Sequence, residues 1–161
     1  MENKKIKNAK SHVYDDIEFK SGLELFCYKQ LKENNIPFIY QPESLVLIDN
    51  FKLDFECYEN IGKVVRDENK KIKYSTKRFD LVPNVRSISY TSDFACPNNT
   101  WIIETKGFSN DSFPLRWKLV KQKLMELGFK GILMMPTNQK EILQCIEIIK
   151  QNGKRNQKST I

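Results

Sequence analysis

Two acidic residues and one lysine lie around a predicted β-hairpin in the stretch from Tyr90 to Gly107. The segment Pro97-Asn98-Asn99-Thr100 separates two runs rich in β-branched and aromatic residues, a pattern typical of a hairpin turn. If the two asparagines form the loop, Asp93 lies directly opposite Glu104, with Cβ atoms about 4.5 to 5.5 Å apart. Because side chains alternate between the faces of a strand, Lys106 lies on the same face as both acids.

This arrangement indicates metal-assisted phosphodiester hydrolysis. Two carboxylates facing each other destabilise a sheet unless their charge is compensated, and a divalent cation would compensate it. A hard cation such as Mg²⁺ takes oxygen ligands, which Asp93, Glu104 and the backbone carbonyl of Thr105 would supply. Lys106 would orient the attacking water and offset charge on a phosphate. The alternative is an ordinary solvated strand face in which Glu104 and Lys106 form a surface pair.

A helix before the hairpin adds a third acid. Ser21-Gly22-Leu23-Glu24 predicts a helix start, and the helix is expected to run to about Asn35. Ser-x-x-Glu is a capping box, in which Glu24 accepts a hydrogen bond from the backbone of Ser21. Glu24 is also placed to approach the metal, and the two roles are compatible. The apolar face of the hairpin is predicted to pack in the core; it carries Phe94, Cys96, Trp101 and Ile103.

The remaining elements are predicted from hydrophobic periodicity and turn residues. Short strands are expected at 36–40, 45–48 and 130–135, and a second hairpin with a charged tip at 67–71 lies within 54–86. A final helix is expected from 138 to just before Gly153. The helix from Pro114 to Leu127, stopped by Gly128, is predicted to bury Leu115, Leu119, Val120, Leu124 and Leu127. Its basic residues are candidates for binding a nucleic-acid backbone or form an ordinary basic surface; they are Arg116, Lys118, Lys121 and Lys123.

Composition favours a polyanionic partner. The 161 residues carry 27 Lys and Arg against 20 Asp and Glu, a formal net charge of +7, and 40% are hydrophobic. Nucleic acid is the expected partner, ahead of a membrane surface. No apolar run approaches the ~18 residues of a membrane span, so a cytoplasmic protein is expected. The four cysteines are widely spaced beside a single histidine, which disfavours zinc. They are expected to be reduced and mostly buried.

The order of elements resembles the αβββαβ core of PD-(D/E)XK nucleases. Ser21-Gly22-Leu23-Glu24, Lys29-Gln30-Leu31, Tyr90-Thr91-Ser92-Asp93-Phe94 and Glu104-Thr105-Lys106-Gly107 resemble the phage endonuclease I family of Holliday-junction resolvases. The segments 8–10, 16–19 and 113–119 are similar to a second group of phage-encoded PD-(D/E)XK proteins. The resemblance implies an α/β, restriction-endonuclease-like fold with a mixed central sheet flanked by helices. The predicted domain spans 12–153, with 54–86 as an inserted β elaboration between a flexible basic arm (1–11) and a disordered basic tail (154–161).

The resemblance also implies the catalytic roles. It makes Glu24, Asp93 and Glu104 the acidic metal-site residues and Lys106 the catalytic lysine, with Mg²⁺ or Mn²⁺ as cofactor and cleavage leaving a 5′-phosphate. It implies branched DNA such as four-way junctions as substrate, a homodimer, and the host cytoplasm if the protein is phage-encoded. The sequence departs from that family in residues 54–86 and lacks an identifiable bridging strand for the dimer. The alternatives are a nuclease acting on linear DNA, single strands or RNA, a non-catalytic nucleic-acid-binding protein of this fold, and an interaction protein with an acidic partner.

Overall fold

A computed structural model describes residues 11–66, 72–107 and 112–158. The predicted arm apart from Ser11, the charged hairpin tip, the capping residues 109–111 and the last three residues of the tail lie outside this range. The described part contains three helices, which are α1 (Gly22–Glu33), α2 (Phe113–Glu126) and α3 (Gln139–Lys158). The strands are β1 (His12–Tyr14), β2 (Ile17–Phe19), β3 (Ile39–Tyr40), β4 (Leu45–Ile48), β5 (Phe51–Lys52), β6 (Tyr58–Arg66), β7 (Ile72–Leu81), β8 (Asn84–Val85), β9 (Ile88–Tyr90), β10 (Phe94–Ala95), β11 (Trp101–Ile103) and β12 (Ile132–Met134).

The chain divides into two units, the first formed by residues up to 45 and from 90 onward, the second by residues 46–89. The first unit contains a four-stranded sheet in the order β12-β11-β10-β3. β10 pairs antiparallel with both β11 and β3, whereas β11 and β12 are parallel and are joined through α2. The fold is therefore mixed α/β with a mixed sheet, as the order of predicted elements indicated.

The central hairpin has the predicted register. Phe94 is paired with Ile103 and Ala95 with Ile102, the alignment that also sets Asp93 against Glu104. The tip differs from a two-residue loop: the Asn99 N–H donates to the Cys96 carbonyl, and Asn99 has a positive φ of 57°. This turn lengthens the loop to four residues without changing the alignment of the two strands.

The two faces of the sheet are covered by different helices. Phe94, Cys96, Trp101 and Ile103 lie in the core with buried residues of α1 and α3, among them Cys27, Leu31, Ile142 and Ile146. The opposite face carries Ala95 and Ile102, which line one cleft together with Val120 and Leu124 of α2. The prediction of one apolar hairpin face is confirmed, and the second face also meets apolar side chains toward the hairpin tip.

The buried stripe of α2 differs from the predicted one. Phe113, Trp117, Val120 and Leu124 are buried, whereas Leu115 and Leu127 are 66% and 61% exposed. The rings of Phe113 and Trp117 stack with centroids 5.8 Å apart. These two large aromatic residues set the rotation of the helix about its axis, because burying them removes more apolar area than burying the leucines. Gly128, with φ of 69°, follows the helix end as predicted.

The predicted end of the last helix is wrong. α3 continues through Gly153 to Lys158, so residues 154–158 of the predicted tail are helical. Gly128 is the glycine with positive φ among the described residues, so Gly153 does not adopt the left-handed conformation that ends a helix. A glycine inside a helix costs only about 1 kcal/mol relative to alanine. Leu143 of this helix is 47% exposed, while Ile142, Cys145 and Ile146 are buried.

A hairpin formed by β1 and β2 precedes α1 and was not predicted. Its turn residues Asp15 and Asp16 have φ of 51° and 59°, the left-handed conformation of a two-residue hairpin loop. Phe19, at the end of β2, is fully buried against α1 and β3 through its contacts with Tyr28 and Tyr40. The hairpin thus closes one end of the core and positions Lys20 and Ser21 at the start of α1.

The second unit contains two-stranded sheets. β6 and β7 form the long antiparallel hairpin predicted within 54–86, and β5 pairs antiparallel with β8. β4 and β9 form a further two-stranded sheet at the ends of this unit. Tyr58 and Phe79 stack on one face of the long hairpin with ring centroids 5.8 Å apart.

Candidate active site

The hairpin holds Asp93 in a fixed orientation beside Thr105. Asp93 directly precedes β10, and its Oδ2 accepts hydrogen bonds from the Thr105 backbone N–H at 2.7 Å and the Thr105 hydroxyl at 2.6 Å. The Asp93 carbonyl accepts a hydrogen bond from the Gln41 N–H at 2.8 Å. Both the side chain and the backbone of Asp93 are therefore tied to neighbouring chain segments, so the carboxylate is preorganised.

Glu104 is a buried acid with an unsatisfied oxygen. Its residue is 6% exposed, and its N–H donates to the Met134 carbonyl of β12 at 3.0 Å. Oε1 lies 3.8 Å from the Lys106 Nζ, while Oε2 is buried without a hydrogen-bond partner among the described residues. A buried carboxylate oxygen without a partner is costly. Glu104 Oε2 is therefore suited to receive a cation or a donor group from a ligand.

Glu24 takes a modified capping role. The Ser21 hydroxyl oxygen accepts a hydrogen bond from the Glu24 N–H at 3.1 Å, which forms the first half of the predicted capping box. The Glu24 carboxylate does not return a bond to Ser21. Its Oε2 instead accepts from the Lys20 N–H at 2.8 Å and from the Tyr40 hydroxyl at 3.3 Å. Glu24 is buried, and the Asp93 charge is close enough to raise its pKa.

The three carboxyl groups share one electrostatic environment. Burial raises the pKa of Glu104 to about 7, and the negative charge of Asp93 contributes to the increase. Burial also raises the pKa of Asp93, against the opposing effect of its bonds from Thr105. For Glu24, burial comes first and repulsion by Asp93 second. Each acid thus holds its proton more tightly than it would in water, and a nearby cation would reverse this tendency.

Lys106 is held between the acid and α2. Its Nζ lies 3.8 Å from Glu104 Oε1 and 4.3 Å from the centre of the Phe113 ring. The Lys106 N–H donates to the Pro136 carbonyl at 2.9 Å, just beyond β12. Its positive charge also opposes the increase in the pKa of Asp93. The structure therefore brings Asp93, Glu104 and Lys106 together, with Glu24 on the side of Asp93.

The donor set suits a hard divalent cation. Within the described part of the chain, no group of three or more His, Cys, Asp and Glu side chains is arranged to hold a metal ion. Mg²⁺ needs fewer, since it commonly takes one or two carboxylates and completes its shell with waters. Asp93, Glu104 and the Thr105 carbonyl provide oxygen donors of this type, and Glu104 Oε2 makes no close hydrogen bond, with the Tyr90 hydroxyl as its neighbour. These residues fit Mg²⁺ or Mn²⁺, whereas Glu24 Oε2 is already engaged by Lys20 and Tyr40.

The basic residues of α2 do not share one surface. Arg116 and Lys123 are about two turns apart and flank the buried stripe on the same side. Lys123 is half-buried beside Glu126, with Nζ 4.0 Å from its carboxylate. Lys121 flanks the other side, 5.8 Å from the Trp117 ring centre, and Lys118 is exposed on the opposite face. A single nucleic-acid strand would therefore meet Arg116 and Lys123 together, but not all four residues.

Tyr90 is a site residue that the sequence reasoning did not select. It is 8% exposed, and its hydroxyl lies beside the Glu104 carboxylate without a close hydrogen bond. Burial raises the pKa of Tyr90, and Glu104 raises it further, whereas Arg116 opposes the increase. Tyr90 therefore lies between the acids and α2. The sequence contained a signal for it: Tyr90 begins the motif Tyr90-Thr91-Ser92-Asp93-Phe94 and lies three residues before Asp93.

Comparisons of this chain with protein-family models, with curated proteins and with solved structures found no match. None of the helices in residues 11–66, 72–107 and 112–158 has the length and apolar character needed to cross a membrane. The geometry of the acidic cluster therefore carries the functional proposal.

Proposed function

We propose that this protein is a metal-dependent DNA endonuclease that hydrolyses phosphodiester bonds, with branched DNA as its preferred substrate. One observation carries the proposal: Asp93 and Glu104 face each other across a buried hairpin, and Glu104 Oε2 is buried without a partner beside Lys106. A solvated strand face would expose both acids. Here Glu104 is 6% exposed, which is a costly arrangement for a carboxylate with no ligand to bind.

The topology supports a restriction-endonuclease-like core. The first unit contains α1, the antiparallel strands β3, β10 and β11, then α2, the parallel strand β12 and α3. This is the αβββαβ order that the PD-(D/E)XK resemblance implies, extended by a last helix. The carboxylates lie where β10 begins and β11 ends, so the central strand pair positions both acids. The second unit corresponds to the insertion that distinguishes this chain from the endonuclease I pattern.

The proposed roles follow from the donors and charges. Asp93, Glu104 and the Thr105 carbonyl would hold Mg²⁺ or Mn²⁺, which when bound supplies Lewis-acid polarisation of the phosphate and a more acidic water. Thr105 keeps Asp93 oriented through its two hydrogen bonds. Lys106 orients the attacking water and offsets the charge that develops on phosphate. The water oxygen bonds to phosphorus, the P–O3′ bond breaks, and the products are a 5′-phosphate and a 3′-hydroxyl.

The substrate is proposed from charge and from the residues bordering the site. The chain carries a formal net charge of +7, which favours a polyanion. Arg116 is near Tyr90 and is therefore the basic residue of α2 best placed to meet a phosphate beside the acids. Branch selectivity rests on the family resemblance alone. Linear DNA and RNA remain the alternative substrates, and a homodimer remains part of the proposal rather than of the described fold.

The test is cleavage of a labelled four-way junction beside a matched linear duplex and a single strand, with Mg²⁺ or Mn²⁺ and with EDTA. Wild type is compared with Glu104→Gln and Lys106→Ala. Lys150→Ala serves as the matched control, because Lys150 is a partly exposed lysine on α3. We expect metal-dependent cutting by wild type and Lys150→Ala, and a loss of at least a hundredfold in both site variants.

The outcomes separate the proposal from its alternatives. Preferential cutting of the junction supports a resolvase, whereas equal cutting of all substrates keeps the mechanism and removes the branch selectivity. Binding without cutting under every metal condition would replace the nuclease with a non-catalytic binding protein. Cutting that survives Glu104→Gln would refute the assigned site.

A further inference from the structure

A cleft of about 480 Å³ lies beside the acidic cluster within the first unit. Its deep part is apolar and is formed by Ala95 and Ile102 of the hairpin with Val120 and Leu124 of α2. Exposed polar side chains border its mouth: Glu43, Asn99 and Lys130. A concave apolar site of this size with a few polar groups at its edge has the character of a small-ligand pocket.

The cleft lies on the same face of the sheet as the carboxylates of Asp93 and Glu104, which do not themselves line it. Ala95 and Ile102 lie two residues along their strands from Asp93 and Glu104, on the same face of the sheet. Two residues of a strand span about 7 Å, so the floor of the cleft begins about 7 Å from the acid pair. Tyr90 lines the cleft as well, and its buried hydroxyl lies beside the Glu104 carboxylate, so this side chain connects the cleft to the acids.

The chain is closely packed where the cleft reaches the hairpin tip. Phe129 lines the cleft and packs against Gly131, where an added Cβ would lie 2.5 Å from the Phe129 ring. The same Cβ would lie 2.6 and 2.7 Å from the backbone carbonyl oxygens of Thr100 and Asn99. The absence of a side chain at Gly131 therefore allows the turn after α2 to close against the hairpin tip. The cleft is preformed between these two segments.

We propose that this cleft binds one unstacked nucleobase of the substrate, next to the phosphate held at Asp93 and Glu104. The inference rests on the proposed nuclease function and identifies the part of the substrate that the cleft recognises, which is the unstacked base. The apolar walls suit the faces of a base, and the Ser92 side chain and the polar residues at the mouth suit its edges. Lys130, at the mouth, is placed to meet the adjoining phosphate.

This assignment narrows the substrate class. A base enters such a cleft only when it leaves the helical stack, and unstacking costs least where the nucleotide is already unpaired. The substrate would therefore contain a single-stranded or junction nucleotide at the cut. In an intact duplex the base must first leave the stack, which costs free energy. We therefore expect weaker binding to an intact duplex.

The experiment measures binding in EDTA, so that the strand is not cut. Short fluorescein-labelled single strands are prepared with one nucleotide at a time replaced by an abasic analogue, and dissociation constants are measured by anisotropy. The cleft is blocked by Leu127→Trp, at an exposed position on its border, or by Ile102→Phe at its floor. Leu115→Trp is the matched control, because Leu115 is similarly exposed on α2 but does not line the cleft.

We expect one abasic position to weaken wild-type binding by about tenfold, the typical size of one base-stacking interaction. Leu115→Trp should show the same profile. The blocked variants should bind the intact strand about tenfold more weakly and show no dependence on the abasic position, because the two changes remove the same contact.

A flat abasic profile for wild type, or an unchanged profile in both blocked variants, would overturn the pocket assignment while metal-dependent cleavage still stands. Absence of both strand binding and cleavage would overturn the nuclease proposal, and this inference with it. The two failures are therefore distinguishable.

Discussion

Glu104→Gln is predicted to stabilise the metal-free protein at alkaline pH while it abolishes cleavage. Glu104 is buried, its Oε2 has no partner in the described part of the chain, and burial with the Asp93 charge raises its pKa from 4.5 to about 7. In the folded protein this carboxyl therefore stays protonated over a range in which the unfolded chain has already lost the proton. Glutamine keeps the shape of the side chain and cannot ionise.

The sign of the pH effect follows from proton linkage. Between pH 4.5 and 7 the folded state binds more protons at Glu104 than the unfolded state, so the free energy of unfolding falls as pH rises. At 1.36 kcal/mol per pH unit, this interval corresponds to a loss of about 3 kcal/mol by pH 8. Glu104→Gln avoids this loss. The free energy of unfolding of Glu104→Gln should exceed that of wild type by almost nothing at pH 4.5 and by about 3 kcal/mol at pH 8.

The assay is urea unfolding followed by circular dichroism at pH 5 and pH 8, with EDTA or with Mn²⁺. Glu18→Gln is the matched control, since Glu18 is an exposed glutamate on β2. Mn²⁺ should stabilise wild type at pH 8 by favouring the ionised carboxylates, and it should stabilise Glu104→Gln much less. Equal pH dependence of stability in wild type and Glu104→Gln, or equal stabilisation of both by Mn²⁺, would refute this reasoning.

Three further predictions concern other parts of the site. Lys106→Ala should reduce single-turnover cleavage at least a hundredfold while Mn²⁺ still raises the urea midpoint; loss of the Mn²⁺ effect would instead make Lys106 a structural partner of Glu104. Gly131→Ala should lower the free energy of unfolding by about 2 kcal/mol, because its Cβ would meet two carbonyl oxygens of the hairpin tip at 2.6 and 2.7 Å; an unchanged urea midpoint would contradict that close approach. Arg116→Ala should weaken DNA binding more than Lys118→Ala in anisotropy titrations at several salt concentrations, and equal effects would argue against a strand path beside Tyr90.

Local chemistry determined much of the fold in advance. Alternation along the two strands and the turn residues between them predicted the register that opposes Asp93 and Glu104, and the observed pairing of Phe94 with Ile103 follows it. Ser21 caps α1 and Gly128 ends α2, because short polar side chains and glycine satisfy helix ends through contacts within one turn. These features depend on interactions between residues that are close in the sequence, so the sequence is sufficient to predict them.

Other features required the tertiary structure. The predicted rotation of α2 about its axis was wrong. Once the helix packs beside Tyr90, burying Phe113 and Trp117 removes more apolar area from water than burying Leu115 and Leu127 would. Residue spacing alone does not decide which side of such a helix is buried, because apolar residues recur at helical intervals on both sides. Similarly, α3 passes Gly153 because nothing local at that residue requires a stop.

At the candidate site, the sequence by itself determined which groups are present and that Asp93, Glu104 and Lys106 share one face of a hairpin. Only the tertiary structure decided their environment. Burial raises the pKa of Glu104 to about 7, the Lys20 N–H and the Tyr40 hydroxyl engage Glu24, and α2 closes an apolar cleft beside Tyr90. Burial and desolvation depend on segments far apart in the chain, and residue spacing does not encode them.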